Sequence, residues 1–554
     1  MSASSKKKLR KELNAQSLTA KQKAQKKEER TLKAYSISFI SIMLVIVLTV
    51  ASVLTVTGIR KSGILEKKTI AAVVNGNNIN TVEFNYFFRD AISSTYNQWY
   101  ESYGDSTSTI VSWLLNLDLT KPLNQQAHSD GGTWADRFID SALKDAKETY
   151  QLAALAEAAG HKLTEDEQKD LDTELYYVSL YASLSGHKNT DKYLQALYGP
   201  GSSEKSFTEY MTRKALATSY FSSISDSIEY EDEDLRKYEE GKFDNYSSFN
   251  YSWYYVNYTS YLPKEGEGDS ATTKANPTDE EVAAAKEKAK ADAEALAKVL
   301  DLEEFKTAVQ DLPVNEGNAS ASVSTSERAL YTSIPEIYVK WLAEEGRTEN
   351  QITFIADETT STDDDGKETS TPNGNYYVVM FHARNDNHRK LANVRHLLIA
   401  FSGGTKDDKG NVTYSEEEKK AAKDKAEELL KQWKEGEATE DTFAALVKEK
   451  SEDSGSKSTG GLYEDISPAS NYVKNFLNWA IDDTRTKGET GIIETEYGYH
   501  IMYYVGDSDI SYRDALITND LLKEDMEKWF NEAMESATAS LKNTSRLDTS
   551  ISIK

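Results

Sequence analysis

NVRHLLIAF at residues 393–401, KSEDSGSKSTGGLYED at 450–465 and ETEYGYHIMYYVG at 494–506 are three parts of one segment, and the fold turns on how they are read. The first and last are runs of strand formers, and each carries a histidine, His396 and His500. Residues 415–450 between them have the apolar spacing of helices, and SEDSGSKSTGG is an acidic, glycine-rich loop. Strands at both ends with helices between them make an α+β unit.

Moving outward, the same order of elements occurs once more upstream. NYSWYYVNY (250–258) aligns with NVRHLLIAF, and residues 277–309 align with 414–447. Both long helices open with capping-box spacing, Thr278 with Glu281 and Ser415 with Glu418. Residues 337–358 align with 475–496, and GNYYVVMF (374–381) with GYHIMYYV (498–505). The order strand, long helix, short helix, helix, strand, strand predicts two homologous α+β domains, 245–386 and 390–507, each an antiparallel sheet with helices. At the place of His396 the first copy has Trp253, and at that of His500 this alignment puts Tyr376. It has no counterpart of SEDSGSKSTGG, so it reads as a scaffold or binding domain. Asp363 to Asp365 in its acidic loop read as a solvated hairpin, with a cation site as the sharper alternative.

The 554 residues contain no cysteine, which excludes disulfides, thiolate nucleophiles and thiolate metal sites. The net charge of −26 is unevenly placed, because residues 1–33 carry eleven Lys or Arg against Glu12, Glu28 and Glu29. The acidic remainder is a poor partner for nucleic acid. Residues 34–59 hold no charged side chain and are mostly apolar, long enough for a bilayer core of about 30 Å. The basic flank predicts a cytoplasmic N-terminus, an uncleaved single-pass anchor and an extracytoplasmic body at the cell membrane. A cleaved signal peptide is the rival reading.

Behind a short basic tether, residues 69–244 read as a strand, a turn at Asn75-Gly76 and then helices at 134–160, 164–185, 192–197, 206–228 and 231–238. Their aromatics, including Tyr176, Tyr177, Tyr181, Tyr210, Tyr220 and Phe221, recur near i, i+4. Core packing explains that spacing, and an exposed cradle for unfolded chains is the alternative. Residues 508–554 read as one amphipathic helix with a polar tail, its Leu521, Leu522, Met526, Trp529, Phe530 and Met534 stripe packing back on the helical region.

With VRHLLI, SEDSGSKSTGGL and TEYGYHI in this order and spacing, the second copy resembles a parvulin-type peptidyl-prolyl cis-trans isomerase domain. The anchor, the AAVVNG-plus-helix opening and the C-terminal helix are similar to membrane-attached extracytoplasmic foldases of the PrsA and SurA kind. The resemblance implies a family site at His396, Asp453, His500, Thr495 and Tyr497. It implies a proline pocket at Leu462, Tyr472 and Phe476, with tyrosine at 472 where the family usually has methionine. It further implies a rotamase that assists the folding of secreted or surface proteins with X-Pro bonds, the helical region acting as chaperone.

A prolyl amide turns over a barrier of about 18–20 kcal/mol, and no bond breaks. The reaction therefore needs no metal, cofactor or nucleophile, only tighter binding of the twisted amide than of either planar form. An apolar pocket for the ring and preorganised polar groups meet that need. The two histidines read either as part of such a network or as core residues satisfying each other. Neither HExxH, a nucleophile elbow nor a phosphate-binding glycine loop is present. A non-catalytic holdase and an envelope scaffold remain the other readings.

Overall fold

The computed structural model describes residues 63–549 apart from 266–271, 317, 319, 363–367 and 408–409, together with residue 553. The basic tail, the apolar segment 34–59 and Asp363 to Asp365 lie outside the described residues. Among the described residues no helix is long and apolar enough to cross a membrane. The protein is mixed helix and antiparallel sheet, and its chain divides into two compact units, 1–229 with 522–554, and 230–521.

In the first unit a short helix α1 (Ile64–Lys68) leads into the hairpin β1 (Ile70–Val74) and β2 (Asn77–Asn80). Asn75 (φ 50°) and Gly76 (φ 78°) make the turn, both left-handed as a tight two-residue hairpin requires. Helices follow: α2 (Thr81–Tyr103), α3 (Thr107–Leu115), α4 (Trp134–Ala158), α5 (Glu165–Leu184), α6 (Thr190–Tyr198) and α7 (Glu204–Ser227). Capping boxes start α4, α5 and α7, which is why their N-termini fall within two residues of the positions read from sequence. Phe84, Phe87, Phe88, Phe138, Phe207 and Tyr210 fill the core, whereas Tyr176 on α5 is 61% exposed. The aromatic spacing thus serves packing at some positions and leaves others in solvent.

The second unit opens with α8 (Asp232–Glu239) and contains both copies of the repeat. The first comprises β3 (Ser248–Val256), a small hairpin β4 (Lys264–Glu265) and β5 (Thr272–Thr273), α9 (Asp279–Leu296), α10 (Leu302–Gln310), β6 (Ser324–Leu330), α11 (Glu336–Ala343), β7 (Ile352–Thr362) and β8 (Glu368–Asn385). The second comprises β9 (Lys390–Ala400), the hairpin β10 (Thr405–Lys406) and β11 (Val412–Thr413), α12 (Glu416–Glu435), α13 (Glu440–Lys450), β12 (Leu462–Ile466), α14 (Lys474–Ala480), β13 (Thr490–Thr495) and β14 (Gly498–Ser511). The sheet orders correspond, β6-β3-β8-β7 and β12-β9-β14-β13, all antiparallel. Each copy has an edge strand, β6 or β12, that the six-element order lacked. Both edges carry a bulge at one place: Glu327-Arg328 opposite Asn250, and Glu464-Asp465 opposite Asn393. In each bulge the asparagine side chain accepts the strained residue's N–H, from Arg328 at 2.6 Å and from Asp465 at 2.8 Å.

Strand pairing corrects the alignment by one residue. Trp253 faces Val379 as His396 faces Met502, so the counterpart of His500 is Tyr377, while Tyr376 matches Tyr499. A one-residue slip moves a side chain to the opposite sheet face, and Tyr376 packs under α9 while Tyr377 joins Trp253 on the other side. The first copy has one extra residue between Gly374 and the start of its pairing, which shifts Gly374 out of line with Gly498.

The last helix, α15 (Tyr512–Met534), follows β14 directly, and its Trp529, Phe530 and Met534 pack with Leu152 and Phe221 inside the first unit. The tail beyond it is more than polar. β15 (Ala539–Leu541) pairs with β1 as a third strand, and Leu547 and Ile553 are buried in the first unit's core. Arg546 reaches the buried carboxylate of Glu66 at 3.2 Å. Leu547→Ala is therefore expected to destabilise the first unit by about 2–4 kcal/mol. Chemical denaturation should show an earlier transition for that unit, and an unchanged midpoint would place Leu547 outside the core.

Candidate active site

β9 and β14 are neighbours, and their pleat puts His396 and His500 on one face as a diagonal pair. Their Nδ1 atoms lie 2.9 Å apart, with both rings more than nine-tenths buried. The other nitrogen of His396, Nε2, is 3.0 Å from Asp453 Oδ2, and the other nitrogen of His500, Nε2, is 2.8 Å from Thr495 Oγ1. The backbone N–H of Tyr497 donates to the same Thr495 hydroxyl. Four of the five polar residues expected from the sequence thus form one line. The fifth, Tyr497, adds only its N–H, and its side chain stands 58% exposed.

The loop after α13 aims Asp453. Its carboxylate accepts the N–H groups of Gly455 and Ser456 and the Ser456 hydroxyl, and its own N–H donates to Ser451 Oγ. The hydrogen bond from His396 comes first among the causes that hold the Asp453 carboxyl well below the usual carboxylate range, against the opposing effect of burial. The group is therefore ionised and can only accept. His396 donates from Nε2 to Asp453, one hydrogen bond joins the two rings through their Nδ1 atoms, and the Thr495 hydroxyl meets the far nitrogen of His500. Burial first, then the neighbouring imidazole, pushes His500 down to about 3, so it stays uncharged across the neutral range.

Two glycines let the strands come this close. A Cβ on Gly461 (φ 73°) would lie 2.1 Å from the His396 carbonyl oxygen, and one on Gly498 (φ 149°) 2.1 Å from that of Ile399.

Phe476 on α14 sets its ring edge-on to His396, with centroids 5.3 Å apart, and lies 5.8 Å from His500. Tyr472 packs against it at 5.3 Å. The third pocket residue named from sequence, Leu462, is paired with Arg395 and falls one step out of phase with His396. Its neighbour Tyr463 occupies the site face, 5.2 Å from His396 and 5.3 Å from Tyr472. Tyr463 and Ser456, whose Oγ is 3.0 Å from His396 Nε2, are the two residues that sequence reading missed. Strand alternation signalled the first; nothing in SEDSGSKSTGG distinguished the second among its serines. Beside Thr495 opens a groove of about 620 Å³, with Phe401, Tyr414, Lys419, Lys474 and Glu494 in its walls.

Residues 396–506 match the model of the rotamase family, the PPIC-type PPIASE domain. This segment is a parvulin-type peptidyl-prolyl isomerase domain. The match begins at the first histidine and ends just past the second, so it encloses the polar chain and the ring cluster. Among solved structures the chain is similar to PrsA of Bacillus cereus, at 24% identity over 27% of this chain and 49% of that one, TM-score 0.17. It is also similar to PrsA of Bacillus subtilis, at 23% over 28% and 54%, TM-score 0.18. The foldase protein PrsA of Lactococcus lactis matches at 14% over 70% and 97%, TM-score 0.17. The chain thus spans about half the length of the two Bacillus PrsA structures it matches. No curated protein sequence gives a significant match.

The low value of His500 has a consequence for acid stability. In the unfolded chain a histidine titrates near 6.5, so its uncharged burial contributes stability in full above that pH and loses it as pH falls from about 6.5 toward 3. Asp453, also depressed, adds its own loss below about pH 4. Urea midpoints of the isomerase domain in the full chain should drop between pH 7.5 and 4.5, and His500→Asn should drop less. An equal drop in both proteins would remove His500 from the acid response.

Proposed function

We propose that this chain is a peptidyl-prolyl cis-trans isomerase and foldase that acts on unfolded or partly folded polypeptides. The observation that carries the reading is an ionised Asp453 at the end of a fixed hydrogen-bonded chain, next to a cluster of rings built on Phe476, Tyr463 and Tyr472.

Each part has a job in lowering the rotation barrier. In the planar amide nitrogen donates into the carbonyl, which places negative charge on oxygen; that charge recedes as the bond twists. A carboxylate beside the carbonyl repels the planar form more than the twisted one, so the barrier shrinks from the ground-state side. The rings take the pyrrolidine out of water, which also disfavours the charge-separated planar form. The two imidazoles and Thr495 keep Asp453 from turning away. The chemistry asks these residues to bind and orient, with no bond made or broken.

The chain without residues 1–62 should speed cis-to-trans conversion of a blocked Ala-Ala-Pro-Phe peptide. Asp453→Ala should lower kcat/KM about 10- to 100-fold. Turnover indistinguishable from background, or an undiminished Asp453→Ala variant, would defeat the catalytic reading.

A holdase activity is the second reading, and the first unit supplies its observation: Trp113 is 82%, Leu184 71% and Tyr176 61% exposed. A holdase would suppress aggregation of a denatured protein equally well with and without Asp453. The basic 1–33 and apolar 34–59 stretches support a cell-membrane anchor with the N-terminus cytoplasmic and the clients outside. Protease added to intact cells should remove the body and spare an N-terminal tag; the opposite pattern would reverse the orientation.

A further inference from the structure

The helix that carries Phe476 packs on the core of the isomerase domain, and its outer side and C-terminal end are held by side chains from outside that domain. α14 has seven residues, too few to be stable alone, and no side-chain cap at its N-terminus. Its inner face buries Phe476, Trp479 and Ala480, and Asn475 Nδ2 donates to the Glu494 carbonyl at 2.8 Å. Arg485 Nε donates to the Trp479 carbonyl at 3.3 Å, and further polar contacts come from outside the isomerase domain. Both Nη atoms of Arg328 donate to Asn478 Oδ1, at 3.2 and 3.1 Å. Glu327 meets Lys474 at 3.0 Å, one helical turn earlier. Arg389, in the linker between the copies, donates to the carbonyls of Ile481 and Asp482 at the helix's end, the second at 2.7 Å. Phe476 lies midway between Lys474 and Asn478.

We propose that Arg328 and Arg389, assisted by Glu327, are positioning residues that set the prolyl pocket by fixing α14, so that the first copy governs substrate affinity in the second. This rests on the isomerase reading of the site. The bulge explains how β6 reaches its target. Glu327 and Arg328 stand opposite the single residue Asn250, and Arg328 sits at φ 56°, a left-handed conformation that a non-glycine residue adopts at a cost. Asn250 secures the turn by accepting the Arg328 N–H. The second copy keeps the same bulge, but there it presents Glu464 and Asp465. What is particular to the first copy is the basic side chain and its partner. The half-buried guanidinium contact dominates, because the Lys474–Glu327 pair is 69% and 52% exposed and screened by water.

A shifted α14 displaces Phe476 and leaves the Thr495–His500–His396–Asp453 chain in place, so affinity falls while the chemical step persists. The test uses the full chain and reads the Kd for a blocked Ala-Ala-Pro-Phe peptide, kcat and KM for its isomerisation, and the thermal midpoint. Arg328→Ala and Asn478→Ala should each raise Kd and KM about five- to tenfold and leave kcat within about twofold, with no additional loss in the double variant. Arg328→Lys, which keeps one donor, should recover part of the affinity. Unchanged Kd in both single variants, or losses that multiply in the double variant, would overturn the proposal. If Arg328→Ala does not fold, Asn478→Ala alone decides, since it removes the acceptor and leaves the bulge intact. Absence of turnover in the unsubstituted chain would overturn the isomerase reading, and the peptide Kd values would still judge the clamp.

Discussion

Two imidazoles buried against each other on neighbouring strands can share a hydrogen bond only if one presents a proton and the other a lone pair. That constraint organises the second copy of the repeat. Asp453, ionised and able only to accept, takes the proton on His396 Nε2, and the Nδ1 atoms of the two rings share the hydrogen bond between them. The Thr495 hydroxyl then completes the line at His500 Nε2. An unmatched polar group at any link would cost about 1–3 kcal/mol in so dry a place. The backbone serves this line. Gly461 and Gly498 let the edge strand and β14 press against β9, and the loop after α13 wraps three donors around the Asp453 carboxylate.

The first copy meets the same geometric problem with a different solution. At the two histidine positions it has Trp253 and Tyr377, with ring centroids 6.1 Å apart, and at the Phe476 position Tyr338, 5.5 Å from Tyr377. Aromatic rings satisfy one another by edge and offset contact and need no directed proton. The sheet, the bulge and the helix order survive without the polar line, which separates what the fold requires from what the site requires. The edge strand of this copy also reaches the other one, its bulge placing Arg328 against Asn478 of α14.

Much of the second unit was legible in the chain, because alternation and capping boxes are local signals. Thr278, Ser415 and the strand around His396 behave as their sequence spacing says. Both histidines, Asp453, Thr495 and Phe476 converge. The misses share one cause, long-range pairing. The sequence alignment places Tyr376 where Tyr377 stands, since one residue inserted before pairing begins is invisible until the partner strand is known. The family pattern points to Leu462 where Tyr463 meets the rings, again a matter of phase. The tail from Ala539 reads as polar because its apolar residues are few and scattered, and β15 exists by virtue of a partner more than 450 residues away.

The sequence by itself determined the two-copy plan, the class of chemistry and the residue types of the site. These depend on which side chains the chain carries and on periodicities that extend over one turn or one strand. The tertiary structure alone decided register, the partners in the polar line and the support of α14. Each of those depends on atoms far apart in sequence that meet only after β3 finds β8 and β9 finds β14. His396 and His500 stand 104 residues apart, and the 2.9 Å between their nitrogens is a property of the pairing, which no local stretch of the chain contains.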